Sequence, residues 1–276
     1  MKYYIPLVII IVLCIGGLIY FNPKPETIIE TETVYVIYEG PAPYGELPVE
    51  NYVKELYNLS LSIESNSIVD CKGEDVGIKR TNGMAYGLLI GEDRHNITIK
   101  NCVINIHEDF KEANWGIVVY SPQNLTSDIR LINNTINITG GFRTRGIQIQ
   151  GGHDMLISDN NLYIIGDRTY GIRTQEDNSN IDIVNNFIEI GIIEGGTFVT
   201  GIETSNWVGK YAYNLLVENN TIYCHGKDEE QYAYYVGDTR WSRVANNYAI
   251  LDKCSILYVL KSTNVEIWNN VEVKDD

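Results

Sequence analysis

The feature that most constrains this chain is a repeat. An Asn pair set in an alternating apolar run returns again and again: LINNTINI (131–138), ISDNNLYI (157–164), IVNNFIEI (183–190), LVENNTIY (216–223) and IWNNVEV (267–273). Taking the second Asn of each pair as a ruler gives Asn134, Asn161, Asn186, Asn220, Asn247 and Asn270, and Asn101 in ITIKNCVINI fits the same slot. The gaps between these seven positions are 33, 27, 25, 34, 27 and 23 residues. A second motif keeps the same beat: YGLLIG (86–91), WGIVVY (115–120), RGIQIQ (145–150), YGIRTQ (170–175) and TGIETS (200–205), drifting to AYYVGD (233–238) and ILYVLK (256–261). Two phase-locked strand motifs in a period of this length mean a solenoid. No single repeat can bury its own apolar face, and stacking the next copy on it does so. The expected fold is therefore all-β, a parallel β-helix of about eight coils, over residues 60–276.

Asn is a poor strand former, so its recurrence needs a cause. A coil must bend sharply between strands, and Asn tolerates the left-handed backbone such a bend demands. Stacked in successive coils, the amides can also bond one another as a ladder. These Asn pairs are structural and do not form a catalytic array.

The ends differ from the repeat. YYIPLVIIIVLCIGGLIYF (3–21) is long and apolar enough to cross a bilayer as a helix. Lys2 lies before it and Glu26, Glu30 and Glu32 after it, which places the N-terminus in the cytoplasm and the rest outside. A cleaved signal peptide is the alternative, although no Ala-x-Ala site follows; both readings export the body. Residues 1–21 are thus a transmembrane signal-anchor and 22–46 a linker with Pro-rich punctuation. At 47–59, Val49, Tyr52, Val53 and Leu56 share one helical face, as a helix capping the solenoid would. The last coil ends in VEVKDD without a comparable cap, an edge where another subunit or an envelope partner could dock. The formal charge of −15 argues against a nucleic-acid partner.

The motif series, with IVDCKGEDVGIKRTNGMAYGLLIGEDRHNITIKNCVI (68–104), resembles the parallel β-helix repeat proteins of the pectin-lyase-like superfamily. It is especially similar to the right-handed β-helix domains of exported and cell-surface proteins, including those named after the copper-periplasmic NosD protein, and so implies a right-handed parallel β-helix. The resemblance covers about residues 60–273. It implies the fold and leaves the activity open, because that superfamily spans lyases, hydrolases, epimerases, adhesins and tailspikes.

Alternation beyond the motif glycine predicts an outward column Leu89, Val118, Gln148, Arg173, Glu203, Tyr235, Tyr258. Beside it run Tyr120, Gln150, Gln175 and Ser205, and just before the glycine come Tyr86, Trp115, Arg145, Tyr170 and Thr200. Aromatic platforms with Gln, Arg and Glu as directional partners suit a sugar polymer. The candidate carbohydrate contacts are Tyr86, Trp115, Tyr120, Gln148, Gln150, Tyr170, Gln175 and Tyr235. For catalysis, the resemblance implies an Arg base, here Arg145 or Arg173, and calcium to neutralise a uronate. Glu176, Asp177 and Glu203 are then the candidate ligands, and Glu203 is also the one carboxylate on the column for a hydrolase. The polygalacturonase and pectate-lyase signatures are absent: GGHD (151–154) lacks a Gly after its His, and no Arg-Ile-Lys occurs.

The four His, at 95, 107, 153 and 225, lack metal-ligand spacing, so copper loading has no support. Acidic pairs Glu92–Asp93 and Glu108–Asp109 and the run at 228–230 fall in predicted turns, either solvated or calcium-binding. Aligning Asp70 with Asn101 stacks Cys71 on Cys102, as a disulfide or as buried thiols; Cys224 and Cys254 do not align. Sequons at Asn58, Asn96 and above all Asn124 are candidate glycosylation sites. Three functions remain open: a membrane-anchored extracellular carbohydrate binder, a polysaccharide lyase or glycoside hydrolase, and a structural envelope or adhesion protein.

Overall fold

The structure, a computed structural model, describes residues 63–81, 84–107, 113–205, 210–227 and 231–274. The apolar segment at 1–21, the linker, the expected capping helix and Asn58 lie outside the described residues. Among the described residues no helix is long and apolar enough to cross a membrane. They form a right-handed parallel β-solenoid of about seven turns, one fewer than the repeat count predicts. The difference lies at the N-terminal end, where an isolated bridge between Asp75 and Val103 stands in place of a further strand pair.

Each coil contributes to three faces. The first carries the glycine motif: Met84–Ile90, Ala113–Tyr120, Phe198–Thr204, Tyr232–Gly237 and Ser255–Leu260, with the leading parts of Arg143–Ser158 and Arg168–Val184. The second runs through Ser67–Asp70, His95–Lys100, Ser127–Ile132, Ala212–Glu218, Thr239–Ala245 and Thr263–Trp268, with the trailing parts of those two long strands. Because the long strands cross both faces, the two join into one 14-stranded sheet. The third face is a 7-stranded sheet from Val103–His107 to Val271–Lys274. Pairing between coils is parallel, and the short Lys79–Thr81 adds an antiparallel edge to Met84–Ile90.

Alternation fills the lumen with isoleucine. Ile104, Ile136, Leu162, Ile188 and Ile222 stack in register on the third face, and Ile117, Ile147, Ile172 and Ile202 on the first. All are buried, each contributing about 1.5–3 kcal/mol relative to exposure. The motif glycines are set by close approach. A Cβ on Gly116 would lie 2.5 Å from the carbonyl oxygen of Gly146 and 2.5 Å from Ile136 Cγ2. Gly116→Ala is therefore expected to destabilise by about 1–3 kcal/mol, as overpacking does, read as a lower urea midpoint. Gly195→Ala is a poor control, since its φ is +82° although its Cβ would meet nothing; Gly191→Ala serves better, because its Cβ would lie in ordinary contact 3.6 Å from Ile165 Cγ1, and it is expected to shift the midpoint little.

The corner between the second and third faces divides the Asn pair into two jobs. The first residue takes the left-handed conformation: Asn101, Asn133, Asp159, Asn185, Asn219, Asn246 and Asn269 all have φ between 52° and 58°. The second, buried in all but the last rung, builds the amide ladder. Nδ2 of Asn134 donates to Oδ1 of Asn160, and the series continues through Asn186, Asn220 and Asn247 to Asn270 at 2.9–3.0 Å. Two positions of the ruler are thereby corrected. Asn161 starts the next strand and Asn160 is the ladder residue; Asn101 is the left-handed residue, and Cys102 takes the ladder slot, its N–H donating to Asn134 Oδ1.

Two disulfides tie coils together. Cys71 joins Cys102, with Cα atoms 4.7 Å apart, and Cys224 joins Cys254, at 6.2 Å. The second pair escaped alignment because Cys224 is inward on the third face, whereas Cys254 lies in the turn leading to the first. With sequence separations of 31 and 30 residues, each constrains the unfolded chain by about 3–4 kcal/mol.

Candidate functional site

On the first face the register aligns Leu89, Val118, Gln148, Arg173, Glu203, Tyr235 and Tyr258 in one column. A second column aligns Tyr86, Trp115, Arg145, Tyr170, Thr200 and Tyr232. These side chains point away from the lumen, yet most are not open to solvent. Tyr86, Trp115, Arg145, Gln148, Gln150, Tyr170, Arg173, Gln175 and Glu203 are each 5% exposed or less. Tyr120, Tyr235 and Tyr258 are partly exposed. The open polar strip expected over the middle coils is thus closed there. Lateral packing supplies part of the reason, because side chains on successive coils stand about 4.8 Å apart and lie on one another. The Arg145 guanidinium sits over Trp115 at 4.9 Å and over Tyr170 at 5.5 Å, and that of Arg173 over Tyr170 at 4.4 Å. Toward the N-terminal end, Met84, Tyr86, Leu89, Ala113, Trp115 and Val118 form a second hydrophobic cluster, apart from the lumen.

The buried polar groups are hydrogen-bonded in short chains. Arg145 Nη1 donates to Gln148 Oε1 at 2.9 Å, and Gln148 Nε2 reaches Gln175 Oε1 at 3.4 Å. Arg173 Nε donates to Glu203 Oε1 at 3.1 Å, and Ser205 Oγ donates to the same oxygen. Gln150 Nε2 donates to Glu176 Oε1 at 2.7 Å. Lys210 Nζ lies 3.2 Å from Glu176 and 3.8 Å from Asp177. Lys210 thus pairs with both of the carboxylates that were candidate calcium ligands. Among the described residues no cluster of three or more His, Cys, Asp or Glu could hold a metal ion. Glu92 is held by Ser121 Oγ and the Gln123 N–H, and burial pushes its carboxyl up. Residues 108–109 and 228–230 lie outside the described residues.

Access opens at the C-terminal coils. Tyr232, Tyr235 and Tyr258, all partly exposed, pack with ring centroids 5.0–6.1 Å apart, and Tyr235 and Tyr258 are stacked. Tyr235 follows Glu203 in the column. Burial, then the nearby Glu203 carboxylate, push its phenol far above the ordinary range, so it stays a protonated donor. Sequence reasoning placed Tyr235 in the site but missed Tyr232, whose position one strand step before the drifted motif was the available signal. It also missed an aromatic row on the outer side of the third face, where Tyr163, Phe187 and Tyr223 follow one another at 5.7 and 5.4 Å.

Of the sequons, Asn96 is exposed, but its Nδ2 donates to Asn66 Oδ1. Asn124 uses only Oδ1, accepting from the Gly152 N–H at 2.6 Å. Its Nδ2, the atom a glycan would take, makes no hydrogen bond among the described residues.

No family model matches the chain, and no curated protein does. Among solved structures, the tailspike protein of E. coli bacteriophage HK620, in complex with a pentasaccharide, matches 75% of this chain at 11% identity and a TM-score of 0.31. The chain spans about half of that tailspike, 47% of its length. The Streptococcus pneumoniae surface protein and adhesin PfbA matches 75% of each chain at 10% identity and a TM-score of 0.23.

Proposed function

We propose that this protein is an exported, membrane-anchored β-solenoid of the pectin-lyase-like type that binds carbohydrate through its C-terminal coils. The observation that carries the reading is the accessible triad of Tyr232, Tyr235 and Tyr258, set against the Arg173–Glu203–Ser205 network. Stacked phenols offer an apolar surface for a pyranose face and hydroxyls for its edge. Glu203 precedes Tyr235 in the column, so the buried pair abuts the triad. The apolar run at 3–21 and the two disulfides support an exported chain.

Binding is favoured over catalysis by the state of the charged groups. A guanidinium held 3.1 Å from a carboxylate is a poor proton acceptor, and Glu176 is neutralised by Lys210. A hydrolase needs two accessible carboxylates flanking one bond, whereas Glu203 is buried.

The test uses the full chain in a mild detergent, immobilised and challenged with neutral and acidic polysaccharides. At least one polymer is expected to be retained without shortening, and Tyr258→Ala is expected to weaken its retention about tenfold. Shortening of a polymer that disappears in Glu203→Gln would replace this reading with the enzymatic one. Retention of no polymer would leave the structural or adhesive role.

A further inference from the structure

The corner between the first and second faces repeats as strictly as the Asn ladder. Its left-handed position is filled in register by Asn96, Asp128, Asp154, Asn180 and Asn214, then Trp241, then Asn264, with φ between 52° and 56° throughout. Asn and Asp visit this conformation readily; for a bulky residue it is a true outlier. Trp241 is also 60% exposed. A residue that is both conformationally unfavourable and wasteful of apolar surface points to a function, since strain of this kind gathers at binding sites.

Its surroundings say what it would bind. The partly exposed Tyr213 ring lies 6.0 Å from Trp241. The Arg240 guanidinium stacks on Tyr211 at 3.8 Å. Its Nε is buried with no hydrogen-bond partner, and no carboxylate pairs with it among the described residues. Arg243 Nε is likewise without a partner, but Arg243 Nη2 is paired with Glu218 at 2.7 Å. On a chain of formal charge −15, a cation left without an acid, in register with partly exposed Tyr213 and next in sequence to exposed Trp241, is complementary to an anion with a flat apolar face.

We propose that Trp241, Tyr213, Tyr211 and Arg240 form a separate subsite for an anionic sugar unit, carboxylated or sulfated. The indole takes the apolar face of the ring and Arg240 the charged substituent. The inference rests on the carbohydrate-binding reading and adds to it a charge preference and a second contact point, outside the tyrosine triad.

The experiment measures binding of the detergent-solubilised full chain to alginate oligosaccharides, dextran sulfate and neutral dextran. Trp241→Asn restores the residue type of the other coils, so it is expected to melt at the same temperature or higher while losing at least tenfold in affinity for the anionic polymers. Arg240→Gln is expected to weaken anionic binding and reduce its salt dependence, leaving dextran unchanged. Loss for alginate alone, or for dextran sulfate alone, would identify the charged group. Unchanged anionic affinity in Trp241→Asn overturns the subsite, and if Tyr258→Ala still lowers retention the broader reading survives. A change in self-association instead of glycan affinity would make the corner a contact between copies and overturn the proposal. Retention of none of the polymers tested for either reading by the wild-type chain removes both.

Discussion

Asn186→Ala is expected to lower the unfolding free energy by about 3–5 kcal/mol, read from urea titration. The side chain is buried and bonded on both sides. Its Oδ1 accepts from the N–H and Nδ2 of Asn160, and its Nδ2 donates to Asn220 Oδ1 and to the Ile157 carbonyl. Truncation leaves the Asn160 N–H buried without its acceptor, at about 1–3 kcal/mol, and removes further bonds at about 0.5–1.5 kcal/mol each. The left-handed neighbour carries a different load. Asn185→Gly keeps the conformation and is expected to change little, whereas Asn185→Val meets a backbone penalty of about 1–2 kcal/mol. At the terminal rung, partly exposed Asn270 has water as a substitute partner, so its loss is expected to cost only about 1 kcal/mol. The sharpest comparison is between neighbours: Asn160→Ala should destabilise as Asn186→Ala does, and Asn161→Ala hardly at all. Equal effects at 160 and 161 would show that the amide ladder is not what holds this corner.

That pair also shows why the repeat was readable in the sequence while its phase was not fully so. Alternation around the motif glycines assigned Gln148, Arg173, Glu203 and Tyr235 to one column, because a period of two admits only one alternative register. ISDNNLYI offers two Asn pairings, and choosing between them depends on which residue bends, a property of the coil and not of the letters. Cys102 was harder still, since there the backbone N–H caps the ladder with no amide side chain in its own slot. Cys254 sits in a turn, where no periodicity constrains alignment. The candidate site was legible as a face but not as a surface. Alternation tells which side of a sheet a residue points to, and it carries no information on whether that side meets water. Trp241 hides for a related reason: its meaning lies in replacing Asn or Asp at a left-handed corner, which sequence alone does not mark.

The second large effect concerns the charged pair beneath the tyrosines. Arg173 and Glu203 side chains are about 5% and 7% exposed, with Nε 3.1 Å from Oε1. Glu203→Ala leaves a guanidinium buried without that carboxylate, and breaking such a pair from one side costs about 3–5 kcal/mol. Replacing both members by apolar residues of similar size leaves no charge behind, and is often neutral or stabilising by about 1–4 kcal/mol. The double variant Arg173→Met with Glu203→Leu is therefore expected to regain most of the stability that Glu203→Ala loses. Glycan retention separates what the pair does from what it costs. Glu203 precedes Tyr235 in the column and its charge raises the phenol further, so the double variant is expected to fold well and to retain its polymer poorly. A double variant that is stable and still binds would mean that the pair serves the packing of the first face, with the tyrosines binding on their own.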